Sequence, residues 1–261
     1  MQYRGMATHD TGARRVKATD TTLEIVEYLY ESEGSRLYEI ANELELANST
    51  VHQHLNTLVT DGYVVKEDEQ YYVGLEFLHV ASYARRRKKA SRVSASVVKK
   101  GYEKTGEPMW FIVEENGRGY HVYQYPENRD SVIDTRPGKR IYLHANAAGK
   151  SLLAHMDQAK VEDIIDRWGM PAITENTITD EEELYAALER VRERGYAYNR
   201  EEHVLGYGGI AAPVTKHDGA VVGALATGAP MQHLEGELFE EKLPKQILEL
   251  VNEFELQIEF S

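Results

Sequence analysis

The stretch HANAAGKS, His144 to Ser151, ends in the Gly-Lys-Ser with which phosphate-binding loops close. Such a loop needs a glycine six positions before its lysine, where the backbone bends to aim successive N–H groups at phosphate oxygens. That position is His144. The approach through Thr135, Arg136, Pro137, Gly138, Lys139 and Arg140 reads as a turn, followed by only a short apolar Ile141-Tyr142-Leu143. A nucleotide site is therefore not expected. What remains is Ala147-Ala148-Gly149 at the start of a helix with apolar Leu152, Leu153 and Met156, where small residues leave backbone donors open to an anion. For acid–base chemistry only Glu201-Glu202-His203 stands out. Neighbours in an extended segment point to opposite faces, so the trio does not by itself converge on one reactant, and a solvated polar turn is expected. No catalytic residue is assigned. The ten histidines show no metal-ligand spacing. His52 and His54, two positions apart on a helix, face different ways. Neither metal nor cofactor is expected.

The chain has no cysteine. That excludes a disulfide framework, a thiolate metal site and a cysteine nucleophile, and it fits a reducing cytoplasm. A length of 261 residues with 42% hydrophobic content supports two domains. The segment Met1 to Asp20 lacks the apolar core of a signal peptide, and no apolar run approaches the length of a membrane span. A cytoplasmic protein is expected, with no membrane partner. The net charge of −13 by itself argues against nucleic-acid binding, but it is unevenly spread. Residues 1–90 carry −3 and residues 91–261 carry −10, with bases clustered at Arg14, Arg15 and Lys17 and again from Arg85 to Lys89. Surface acid also suits a high-salt habitat, where screening collapses repulsion between like charges.

After a polar N-terminal arm over 1–18, Thr21 to Glu31 puts Leu23, Val26, Leu29 and Tyr30 on one helical face, with Asp20 as N-cap. Gly34 and Ser35 break it, and Leu37, Ile40, Ala41 and Leu44 give a second short helix. A third begins at Ser49-Thr50-Val51, carries apolar Val51, Leu55, Leu58 and Val59, and stops at Gly62. Tyr63 to Lys66 and Gln70 to Val73 flank a polar turn as a β-hairpin. Three short helices and a hairpin describe a winged helix-turn-helix over 19–75.

The third helix decides whether this module reads DNA. Its outward positions Thr50, His52, Gln53 and Asn56 carry side chains that hydrogen-bond base edges, and Leu46 through Thr60 contains no acid. A winged helix that only packs or binds protein is the alternative; the acid-free gap on this one helix favours DNA. Arg36, Ser49, Lys66, Arg85, Arg86 and Arg87 complete the candidate DNA-facing set. Gly74 to Lys89 shows Leu75, Leu78 and Tyr83 on a helical period before five consecutive bases. Two readings stay open: a solvated helix end, or a linker helix over 76–92 that neutralises phosphates while its apolar stripe pairs with a second subunit.

From residue 93 to 261 helices and strands mix. A helix at Val93–Lys104 precedes strands Met109–Glu115 and Gly119–Tyr125, joined by the hairpin signal Asn116-Gly117. Further strands are expected near Ser131–Thr135, Ile141–Leu143, Gly206–Pro213 and Ala220–Thr227. Helices are expected at Ala147–His155, Gln158–Trp168, Asp180–Gly195 and Gly236–Phe254. The fold class is α+β, an antiparallel sheet carrying helices.

The stretches "EIANELELANSTVHQHLNTLVTDGYV", "YLHANAAGKSLLA" and "RERGYAYNREEHVLGYGGIAAPV" resemble the IclR family of transcriptional regulators, without evident gaps from Thr22 to Glu255. The resemblance implies a winged helix, a linker helix and a GAF-like effector domain. It also implies a homo-dimer or tetramer on a pseudo-palindromic double-stranded DNA operator, and a small, often carboxylate-bearing effector. By the same resemblance, the backbone at Ala147 and Ala148 meets the ligand carboxylate. Asn199, Gly209, Ala226 and Gly228 belong to the pocket, with Ile133 and Ile141 as apolar wall. The chain departs from members that bind small keto acids, which carry polar or thiol side chains where Gly209, Ala226 and Gly228 stand and an acid in place of Asn199. A larger ligand that brings its own polar groups is expected, with Tyr207, Glu202 and His203 as further contacts; a vestigial pocket is the alternative. The glycines of "GYGGIAAP" also suit two strands whose backbones approach closely.

Overall fold

The computed structural model describes residues 15–127, 133–234 and 236–260. These fall into two compact units, one ending at Arg86 and one beginning at Arg87. In the first, α1 (Lys17–Glu31), α2 (Leu37–Glu43) and α3 (Asn48–Thr60) enclose Ile25, Leu29, Ile40, Ala41, Val51, Leu55 and Leu58. Helix α1 starts before Asp20, which is not its N-cap. Asp20 lies in the first turn and is held by the Arg15 guanidinium, so Val16 caps the helix through backbone geometry alone. A two-residue strand β1 (Ser35–Arg36), not foreseen from sequence, pairs with β3 (Gln70–Val73), which pairs in turn with β2 (Val64–Glu67). The Glu39 carboxylate closes the start of α2 by accepting from the Arg36 backbone N–H at 2.7 Å and the Ser35 hydroxyl at 2.9 Å.

Helix α4 spans Glu76–Arg86 and has no buried residue. The linker helix expected over 76–92 ends here, and α5 (Lys89–Thr105) begins three residues later, well before Val93. The clustered bases hide that break: five like charges carry no periodicity from which a boundary could be read.

In the second unit six antiparallel strands run in the order β6 (Arg140–Ile141), β5 (Arg118–Tyr125), β4 (Met109–Glu115), β9 (Val221–Pro230), β8 (Tyr207–Thr215) and β7 (Ala197–Arg200). Helices α5 and α9 (Leu243–Phe260) cover one face through Val97, Val98, Ile247, Leu250 and Phe254 against Phe111, Ile210 and Leu225. Helices α6 (Ala147–Leu153), α7 (Gln158–Trp168) and α8 (Glu181–Arg194) cover the other through Leu152, Val161, Ile164, Leu184 and Leu188 against Ile112, Ala211 and Ala224. Asp180 caps α8 by accepting from the Glu183 N–H, and Gly195 ends it at φ 82°.

Several expected boundaries move. The expected strand at Ser131–Thr135 lies partly outside the described residues, as does most of the N-terminal arm, and 133–135 is not in a strand. The strand at Ile141–Leu143 shrinks to Arg140–Ile141 because Leu143 and His144 turn toward α6. The closing helix enters through a π-turn, Leu238–Lys242, and then runs six residues past Phe254. Pro244 supplies no N–H and crowds the carbonyl one turn earlier, which accounts for the wider turn there.

Candidate functional site

The hairpin turn Asn116-Gly117, with both residues at positive φ, fixes the register of β4 on β5. Ile112 thereby lies opposite His121, both on the side of α6. Val122 is an extra residue, a bulge, after which Phe111 faces Tyr123. The bulge turns Tyr123 and Tyr125 toward the α5–α9 layer, so neither ring fills the space beside His121.

That space is a cavity of about 550 Å³, counting the solvent at its mouth. Its apolar wall is Trp110, Ile112, Ile133, Ile141, Ile210 and Ala226; polar groups come from Thr135, Asn146, Asn199, Tyr207, Thr227 and two histidines, His121 and His203. All eight residues carried over by family resemblance, Ile133, Ile141, Ala147, Ala148, Asn199, Gly209, Ala226 and Gly228, line it, as do Tyr207 and His203, expected as further polar contacts. Trp110, His121 and Thr227 had no local signal along the chain, since strand pairing brings them in from distant segments.

Asn146 begins α6 by accepting from the Gly149 N–H at 2.8 Å, while its amide donates to the Tyr142 carbonyl at 2.7 Å. Among the described residues no acceptor serves the N–H groups of Ala147 and Ala148, and both residues line the cavity. The glycines do two things. A Cβ at Gly209 would lie 2.5 Å from the Thr227 carbonyl oxygen, and one at Gly228 2.6 Å from that of Gly208. The strands are therefore too close for side chains there, and the bare backbone leaves the cavity floor open.

Lys150 has a structural use. Its ammonium donates to both carboxylate oxygens of Glu202, the pair being almost wholly buried. Burial pushes the Lys150 ammonium down while Glu202 pulls it up. Glu202 does not line the cavity and is not a solvated turn residue. It anchors the segment 201–206 from inside, helped by the Asn199 amide oxygen, which accepts from the Glu202 N–H at 3.0 Å, and by Thr177, whose hydroxyl donates to the Glu202 carbonyl at 2.7 Å. That anchored segment carries His203 to the cavity wall. His144, which stands where a phosphate loop needs glycine, is also structural, with Nε2 at 3.0 Å from the Pro171 carbonyl oxygen. Burial lowers the pKa of His144 and His203, and takes His121 down to about 3.

In the first unit, α3 buries Val51, Leu55 and Leu58 and exposes Ser49, His52, Gln53, Asn56 and Thr57, with Thr50 half-buried. His54 points back to α1, Nδ1 lying 2.8 Å from the Thr22 hydroxyl. Asn56 Nδ2 sits 3.3 Å from His52 Nδ1, so these two side chains pre-orient one another on the open face. Arg36 and Lys66 are exposed on β1 and β2, Lys66 being 3.7 Å from Glu69. Arg85 and Arg86 form the exposed end of α4, whereas Arg87 lies in the second unit, 3.0 Å from Glu115. Among the described residues no cluster of three His, Asp or Glu could hold a metal, and no helix is long and apolar enough to cross a membrane.

The model of the IclR helix-turn-helix domain matches residues 18–68, and that of the bacterial transcriptional regulator IclR C-terminal domain matches residues 91–255. The chain belongs to the IclR family. It is a DNA-binding transcriptional regulator with an effector-binding domain. Its IclR relatives include the probable HTH-type transcriptional regulator ArcR of Halobacterium salinarum, 28% identical over 97% of this chain and 98% of that one. Another is the HTH-type transcriptional regulator BhcR of Paracoccus denitrificans, 31% identical over 87% of this chain and 81% of its own. Among solved structures, an IclR homologue of Microbacterium hydrocarbonoxydans in complex with 4-hydroxybenzoate superimposes with a TM-score of 0.79 at 20% identity, over 94% of this chain and all of that one.

Proposed function

We propose that this IclR-family chain is an effector-controlled regulator whose operator affinity is set by a small carboxylate-bearing metabolite. The observation that carries the reading is one cavity in which an apolar wall, the open N–H groups of Ala147 and Ala148 and a few polar side chains converge. The N–H groups receive the carboxylate, and Trp110, Ile112 and Ile141 receive the carbon skeleton. The relative that holds 4-hydroxybenzoate supports an acid of this size. DNA is read by residues 19–75, the effector is bound by 93–261, and 76–92 connects them. Thr50, His52, Gln53 and Asn56 of α3 contact base edges; Arg36, Ser49, Lys66 and Arg85 to Arg87 contact phosphates.

The regulator acts as a homo-dimer, or as a tetramer built from two dimers, on a pseudo-palindromic operator with half-sites about 34 Å apart. Leu75, Leu78 and Tyr83, which are 81%, 64% and 72% exposed, supply the apolar stripe for pairing. The effector changes operator affinity only by binding one arrangement of the dimer better than another. The test is a thermal-shift screen of the full chain against aromatic, sugar and keto acids, followed by gel retardation on genomic fragments with and without any binder. A ligand at a hundred times its dissociation constant adds about 2.7 kcal/mol of stability. Binding without change in retardation would leave the cavity and remove the control; retardation with no binder would mark the cavity as vestigial.

A further inference from the structure

His121 and His203 reach the cavity wall from different elements, β5 and the segment held by the Lys150–Glu202 pair. Both ring Nδ1 atoms are buried and neither has a hydrogen-bond partner. Buried polar groups are nearly always paired, so two unpartnered ring nitrogens in one cavity call for a ligand group. We infer, on the effector-cavity reading above, that His121 and His203 form a recognition pair for an uncharged hydroxyl or carbonyl of the effector, set apart from its carboxylate.

The charge state fits that assignment. Burial is the main cause that keeps both rings neutral; His203 adds to it at His121, and the Lys139 ammonium disfavours a proton on either ring. Asp134 is the opposing influence on His121, and it is engaged by Arg136 and Lys139. A neutral imidazole has one donor and one acceptor nitrogen, so two of them can serve both the proton and the lone pairs of a hydroxyl. Neutral rings beside Asp134 suit an uncharged oxygen better than a second carboxylate. The carboxylate keeps the Ala147–Ala148 end.

The experiment is calorimetric titration of the full chain with acids matched in pairs that differ by one hydroxyl: 4-hydroxybenzoate and benzoate, mandelate and phenylacetate. At least one hydroxylated acid is expected to bind about tenfold or more tightly than its partner, the fold-change that one net hydrogen bond supplies. In His121→Phe and His203→Leu that preference, read as the ratio of the two affinities within each variant, should vanish whatever the plain acid's own affinity becomes. Should either variant fail to fold, 15N-histidine spectra of the unaltered chain decide the matter: a ring Nδ1 shift is expected with the hydroxylated acid and none with its partner. Equal affinity within every pair, or a preference that survives both substitutions, overturns the inference and leaves the acid-binding cavity standing. Failure of all four acids to bind at millimolar concentration overturns the cavity reading for this ligand class and the inference with it.

Discussion

Lys150 and Glu202 form an ion pair inside the effector-binding domain, with side chains 6% and 9% exposed. One comes from the first turns of α6 and the other from the segment after β7, so the pair fixes the cavity wall that carries His203. Removing one partner leaves the other charged and buried, which costs about 3–5 kcal/mol. Lys150→Met and Glu202→Leu are each expected to lower the urea-unfolding free energy by that much. The double variant should recover most of it, because no lone charge then remains. A double variant as unstable as the sum of the two would show that the pair does not act as a unit.

On α3, Gln53 and Asn56 point away from Val51, Leu55 and Leu58 and lie open. Gln53→Ala and Asn56→Ala should each cost about 1–3 kcal/mol on the operator and little on random duplex. Arg85→Ala with Arg86→Ala should weaken both alike and flatten the salt dependence by about 0.9 in log–log slope for each phosphate that is no longer neutralised. Anisotropy titrations at several salt concentrations separate the two behaviours. An equal loss on both duplexes for Gln53→Ala would remove that residue from base reading.

The buried histidines set an acid limit on stability. His121 is held at about 3 against an ordinary 6.5, and burial moves His144 and His203 the same way. Between those two values the unfolded chain holds a proton that folded His121 refuses, so stability falls as pH drops, by about 1.4 kcal/mol per pH unit for that ring, with His144 and His203 acting in the same direction. Above pH 6.5 the effect is absent. Asp134, which Arg136 and Lys139 hold low, pulls in the same direction, but only below its ordinary 3.8. Unfolding midpoints at about pH 7.5, 6.0 and 5.0 should therefore decline already in the imidazole range, and His121→Phe should lessen the slope. A midpoint flat down to about pH 5 would contradict the buried, neutral state of these rings.

Helix α4 buries none of its own side chains within its unit. Leu75→Glu with Leu78→Glu should shift the sedimenting species to half its mass or less at micromolar concentration, with little change in the far-UV spectrum. An unchanged mass would place the subunit contact elsewhere.

How much could be read from the chain follows from where the signals lie. Helix α7 and strand β4 match their expected limits, and α8 comes within one residue at either end, because periodicity and the caps Asp180 and Gly195 mark the same boundaries. The edge strand β7 carries no comparable mark: four residues with one buried position make no alternation. The cavity was legible only where resemblance supplied positions. His121 had no sign of its own, because its face depends on the Asn116-Gly117 register and on the bulge at Val122. The partnership of Lys150 with Glu202 spans 52 residues, and nothing local to either announces it.

The close approach of β8 and β9 at Gly209 and Gly228 limits how the regulator can change its chemical taste. In this chain a new side chain at either position would have to force the two backbones apart, so the less costly route to another effector is a change at Thr135, His203 or Tyr207, which also line the cavity. Libraries built to turn this scaffold into a biosensor should leave the glycines alone and randomise those three.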